Sequence, residues 1–158
     1  MPAWARDFGI NRAILIHSAR ATVASVASLL LARSLKLPEF YWAPISAIVV
    51  ILSTINPVTV AWQRFAGTAL GAALATVIAI YFPPNWIVYG AGIFVCGIVC
   101  ALLRMASAYR FAAITLSIVL LIAHVRPPWI VAVHRFVEVS LGIAVALLVS
   151  MIWPAPAS

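Results

Sequence analysis

Six apolar runs, each closed by a proline or a short polar turn, fill this chain from Ala13 to Trp153. A soluble domain cannot be built from such a pattern. The chain has 158 residues, and one core of that size has no room for 66% apolar residues, while 8% charged residues cannot cover the outside. The same arithmetic excludes a disordered chain and a disulfide scaffold. A transmembrane helix needs about 20 residues, so six of them consume most of the chain and leave very short loops. The runs do not alternate apolar with polar residues, which excludes membrane β-strands.

The pattern predicts an all-α membrane protein with spans over 13–35, 41–55, 58–82, 86–105, 109–125 and 129–153. The breakers are Pro38, Asn56-Pro57, Pro83-Pro84, Pro127-Pro128 and Pro154. Trp42, Trp62, Trp86, Trp129 and Trp153 lie at or near span ends, as an interfacial belt requires. Residues 1–12 read as an interfacial tail ahead of one membrane domain over 13–154. The apolar run after that tail is too long for a signal peptide. Cys96 and Cys100 share a helix face inside the fourth run, with too few neighbouring ligands for a metal.

An internal repeat appears at a constant offset of 71. Gln63–Pro84 aligns without a gap on His134–Ala155, matching Arg64 to Arg135, Phe65 to Phe136, Gly71 to Gly142 and Pro83 to Pro154. Arg33 meets Arg104, Ser46 meets Ser117 and Pro57 meets Pro128 at the same offset. The offset equals three spans. An odd number reverses the second half, so the expected fold is two inverted three-helix repeats, about 13–84 and 85–155. Loop charges barely favour an N-terminus inside, which with six spans puts both ends in the cytoplasm.

The ten Lys and Arg face three acids, Asp7, Glu39 and Glu138, for a formal charge of +7. No basic segment is long or polar enough to bind nucleic acid. Arg20 lies two turns into the first span, with His17 on the same face. Arg64 opens the third span and Arg110 the fifth. None of these arginines has a carboxylate near it in sequence, and an unpaired guanidinium in a low-dielectric interior calls for an anion. Arg135 has Glu138 at i+3 and can pair with it. Glu138 is the one acid expected inside the membrane, and it is a candidate for proton coupling beside His17, His124 and His134. Gly67 and Gly71, with Gly142 in the repeat, permit close helix approach. No catalytic constellation, cofactor motif or metal set is visible.

Several segments are similar to the FUSC membrane module of fusaric-acid-resistance and aromatic acid exporter proteins. They are His17-Ser18-x-Arg20, Trp42-Ala43-x-Ile45-Ser46-Ala47, and Gln63-Arg64-x-x-Gly67-Thr68-x-x-Gly71. Tyr109-Arg110-Phe111, Arg135, Gly142 and Trp153-Pro154 resemble its second half. The plant aluminium-activated malate transporters share this pattern. The resemblance implies a six-helix domain in a bacterial inner membrane that moves organic anions, among them aromatic carboxylates, as a homodimer. It implies an anion path along Arg20, Arg64, Arg110, Arg135 and His17. No soluble domain follows the sixth run, so a separate adaptor protein is a further expected partner beside membrane lipid. Two other classes stay open at this point: a subunit of a larger efflux assembly, and a membrane packing protein without transport.

Overall fold

The computed structural model describes residues 12–53, 56–122 and 126–154. Of the expected interfacial tail, all but Arg12 lies outside the described residues. Among these residues six α-helices follow in order: α1 Arg12–Ser34, α2 Trp42–Ile51, α3 Pro57–Tyr81, α4 Trp86–Leu102, α5 Tyr109–Ile122 and α6 Pro128–Ile152. A single 3₁₀ turn, Ala106–Ala108, leads into α5. No strand occurs among the described residues.

The local chemistry explains the boundaries. The Asn56 side chain accepts the Val58 N–H at 2.9 Å, and Pro57 occupies the first turn of α3, where its missing N–H costs nothing. Asn85 caps α4 by accepting from Val88 at 2.8 Å. Pro128 opens α6 in the same way as Pro57 opens α3. At the other ends, α1 and α4 close identically. Lys36 and Arg104 take the left-handed conformation with φ of 52° and 56°. The next N–H groups, of Leu37 and Met105, reach back to the carbonyls of Ala32 and Cys100. This is the Schellman closure, which satisfies carbonyls the helix would otherwise leave bare.

Three helices among the described residues are long and apolar enough to cross a membrane: α1 over Ile14–Ser34, α3 and α6. The other three are shorter than the spans expected from sequence. The greatest shortfall is α2, whose 10 residues reach about 15 Å, half the hydrocarbon thickness. It does not start at the level of a helix end. Its first residue, Trp42, packs beside Arg135, in the third turn of α6.

The buried faces repeat. In α3 they are Val60, Ala61, Arg64, Gly67, Thr68, Gly71, Ala72 and Ala75. Adding 71 to each gives a buried residue of α6, from Val131 to Ala146. The gapless offset does not extend to the other helices. Lys36 and Arg104 stand at equivalent helix ends with an offset of 68, so Arg33 is not the counterpart of Arg104. Buried Ala43, Ser46, Ala47 and Val50 of α2 correspond to Ala112, Thr115, Leu116 and Val119 of α5 at 69, so Ser46 meets Thr115 rather than Ser117. The 3₁₀ turn between α4 and α5 helps to restore the register.

Helices α3 and α6 run antiparallel at the centre. Val60 and Ala61 share an apolar cluster with Val139, Ile143 and Ala146, whereas Ala72 and Ala75 share another with Val131 and Ala132. Helix α5 packs on α3, and α2 on α6. Glycines set both approaches. A Cβ on Gly71 would strike the Ala112 backbone, and one on Gly142 would strike the Ala43 carbonyl. Gly67 faces the Ala108 carbonyl and Phe111 in the same way. Cys96 and Cys100 are buried in the α3–α5 cluster. These small-residue faces are therefore consumed inside one copy of the chain.

Gly142→Ala is expected to lower stability by about 1–3 kcal/mol through overpacking. Gly90, with nothing near its Cβ position, should accept alanine without loss. Thermal unfolding in detergent checks the pair, and equal midpoints for the two variants would contradict the packing described.

Candidate functional site

Phe65 and Phe136, one from each repeat, meet ring to ring with centroids 4.9 Å apart. Residues at matched positions touch each other only near a twofold axis, so this contact marks the crossing of α3 and α6. Arg64 and Arg135 are the preceding residues. Both are buried, at 8% and 2% exposure. Each guanidinium lies over an aromatic ring at the start of a shorter helix. Arg135 is 3.4 Å from the Trp42 ring centroid and Arg64 is 5.1 Å from that of Phe111.

Trp42, Arg64, Thr68, Phe111, Thr115 and Arg135 line a cavity of about 20 Å³. That is room for about one water. Arg64 donates through Nη2 to Ser46 Oγ at 3.0 Å. Among the described residues no hydrogen-bond partner meets Nε of Arg64, Nε and Nη2 of Arg135, or Nε1 of Trp42, all of them buried. A buried donor left unsatisfied costs about 1–3 kcal/mol. Nη2 of Arg135 faces a Glu39 carboxylate oxygen at 3.5 Å, and the other three donors, on residues around one small cavity, leave a place for an acceptor.

The acids differ from expectation. Arg135 does not pair with Glu138. Its Nη2 lies 3.5 Å from Oε2 of Glu39, because the guanidinium leans across Trp42 toward the segment before α2. Glu138 instead accepts the backbone N–H of Glu39 through Oε1 at 3.0 Å. Glu39 is therefore a buried acid of the site, although its place in a turn after the first apolar run made it look solvated. Its position just before Phe40-Tyr41-Trp42 was the available signal. Trp42 is likewise a site residue rather than part of the belt, whereas Trp62, Trp86, Trp129 and Trp153 are exposed.

Arg110 is exposed and stacks on Phe111 at 4.7 Å, at the edge of the cavity that Phe111 lines. Arg20 is elsewhere. It is buried and reaches Ser150 at 3.5 Å beside an open groove lined by Pro57, Val58, Leu147, Met151 and Pro154. Ser150 is 15 positions from Arg135 on one helix, or about 22 Å along its axis. His17 is half-buried on the same helix as Arg20. Among the described residues no group of three His, Cys, Asp or Glu side chains could hold a metal.

A bundle of apolar helices, three of them among the described residues long enough to cross a membrane, defines the class as an integral membrane protein. The chain belongs to the fusaric acid resistance protein-like family, whose model matches residues 26–149. That family places it among membrane transport and resistance proteins. Neither curated proteins nor solved structures gave a match.

Removing Arg135 strands buried Glu39, and breaking a buried pair costs about 3–5 kcal/mol. Removing Arg64 strands none. Arg135→Ala is thus expected to lose more folded yield and thermal stability than Arg64→Ala, measured by size exclusion and melting in detergent. Equal losses would contradict the assignment of Glu39 to Arg135.

Proposed function

We propose that this protein moves organic anions, carboxylates including aromatic acids, across the bacterial inner membrane, with the Arg64–Arg135 cavity as the binding point. One observation carries the reading: two buried guanidinium groups with unpartnered N–H donors border a single cavity at the crossing of the two long central helices. Arginine receives a carboxylate through two parallel hydrogen bonds and keeps its charge when buried. Trp42 and Phe111 offer flat apolar walls for an aromatic ring. The reading assigns no catalytic step.

Two inverted three-helix repeats are part of this proposal. Its support is the antiparallel α3–α6 pair, the offset of 71 between their buried faces and the Phe65–Phe136 contact. Inverted-repeat transporters bind substrate where the halves meet, and half-length helices begin there. Helices α2 and α5 begin beside Arg135 and Arg64 in that manner. A cavity of about 20 Å³ is closed to an aromatic acid, so the halves must rock apart about the crossing. Arg20, on the groove at the far end of α6, with His17 one turn before it on α1, then forms a peripheral station, and Arg110 a rim at the start of α5. Both chain ends face the cytoplasm in this reading. The assembly is a homodimer, as closed twofold assemblies are commonest; cross-linking in mild detergent tests that part.

Proteoliposomes loaded with a panel of mono- and dicarboxylates test the function. Wild-type protein should give flux above protein-free vesicles. Arg64→Ala should lower it by about tenfold or more, the loss of one charge-assisted hydrogen-bonded contact. Arg64→Lys should retain part, since the charge remains and the planar fork is lost. Wild-type flux in a well-folded Arg64→Ala protein would refute the role given to Arg64.

A further inference from the structure

The charges at the crossing balance in an instructive way. Two buried cations, Arg64 and Arg135, stand with two buried acids, Glu39 and Glu138. With both acids ionised and the cavity empty, the sum is zero. A bound monovalent anion would take it to −1 in surroundings that penalise net charge heavily. One proton on one of the acids restores neutrality.

The geometry distinguishes the two acids. Glu39 faces Arg135 directly at 3.5 Å. Glu138 is fully buried, accepts the Glu39 N–H through Oε1, and leaves Oε2 without a hydrogen-bond partner among the described residues. The other charged and titratable groups around them offer no second acid. Tyr41 precedes α2, Arg64 faces from α3, Arg33 of α1 stacks on Phe40 at 5.3 Å, and Arg110 of α5 is exposed. His134 is half-buried next to Arg135 on α6.

The carboxylates also break the repeat. The counterpart of Glu138 on α3 is Gly67, and the counterpart of Glu39 before α5 is Ala108, at the offsets set by the buried faces. The contact of α3 with α5 forms without an acid at either place. Packing of that kind therefore does not demand acids, and the buried acids beside α2 and α6 have a use beyond packing.

We propose that one proton binds Glu138 with each monovalent anion that binds between Arg64 and Arg135, so that this protein carries the two together. The inference rests on the anion site argued above. The proton comes from water on the side where the anion enters and forms an O–H bond on the Glu138 carboxylate. It returns to water on the far side when the anion leaves, and nothing is oxidised or reduced. Glu39 stays ionised and holds Arg135 in place throughout. Transport is then electroneutral, and a pH gradient drives it.

Calorimetric titration of sodium 4-hydroxybenzoate into the full chain in detergent, once in Tris and once in imidazole buffer, tests this. The two buffers absorb different heats on giving up a proton. The expected result is binding whose heat differs between them by an amount equal to uptake of about one proton per anion. In Glu138→Gln that difference should vanish. Binding to wild type with the same heat in both buffers overturns the coupling and leaves the anion site standing. No binding in either buffer overturns both. A buffer difference that persists in folded Glu138→Gln overturns the assignment to Glu138. The wild-type comparison decides the coupling even if a variant does not fold.

Discussion

A guanidinium group cannot sit unpartnered in hydrocarbon, and this bundle holds two of them where its central helices cross. The surrounding structure answers that demand. Aromatic rings at the starts of α2 and α5 cover the guanidinium faces. Ser46 takes one N–H of Arg64, and Glu39 balances Arg135. Gly67, Gly71 and Gly142 let the flanking helices come close enough to bring those groups into reach. The apolar remainder faces lipid, which explains the many large exposed hydrophobic residues, such as Leu30, Phe94 and Leu148.

The same demand links structure to transport. A fully satisfied arginine would be inert, but those at the crossing keep donors unused. The cavity they border is small, and the contacts that close it are aromatic and apolar rather than covalent or densely hydrogen-bonded. Such an arrangement suits a site that is sealed in one state and opened by movement of one half against the other. The acids, Glu39 before α2 and Glu138 on α6, leave the two arginines unequal: Arg135 is steadied by Glu39, while Arg64 has no acid paired with it among the described residues.

Much of this was legible in the sequence because the signals were discrete. Prolines and asparagines fixed the starts of α3, α4 and α6 to within a residue. The match of Arg64-Phe65 to Arg135-Phe136 singled out the residues that meet at the crossing. What failed to show was set by three-dimensional contact. Glu39 looked solvated because it follows Lys36 and Pro38 in a polar turn, yet that turn folds onto α6. Trp42 resembled the other interfacial tryptophans, yet it lies beneath Arg135. Sequence spacing favoured the Arg135–Glu138 pair at i+3, but the shared interaction with the segment before α2 separates the two side chains. The second apolar run was long enough to suggest a span, but its helix closes at Ile51. The drift of offset from 71 to 69 and 68 was hidden because alanine and leucine align at almost any register.

The central claim is that the crossing of α3 and α6 is an anion site. The most direct measurement is anomalous scattering from crystals of the protein grown or soaked with bromide. Bromide is a single-atom anion and needs no opening of the halves to occupy a small cavity. The account predicts an anomalous peak between Arg64 and Arg135, beside the indole N–H of Trp42. Bromide found only at exposed arginines, with the crossing empty, would contradict it.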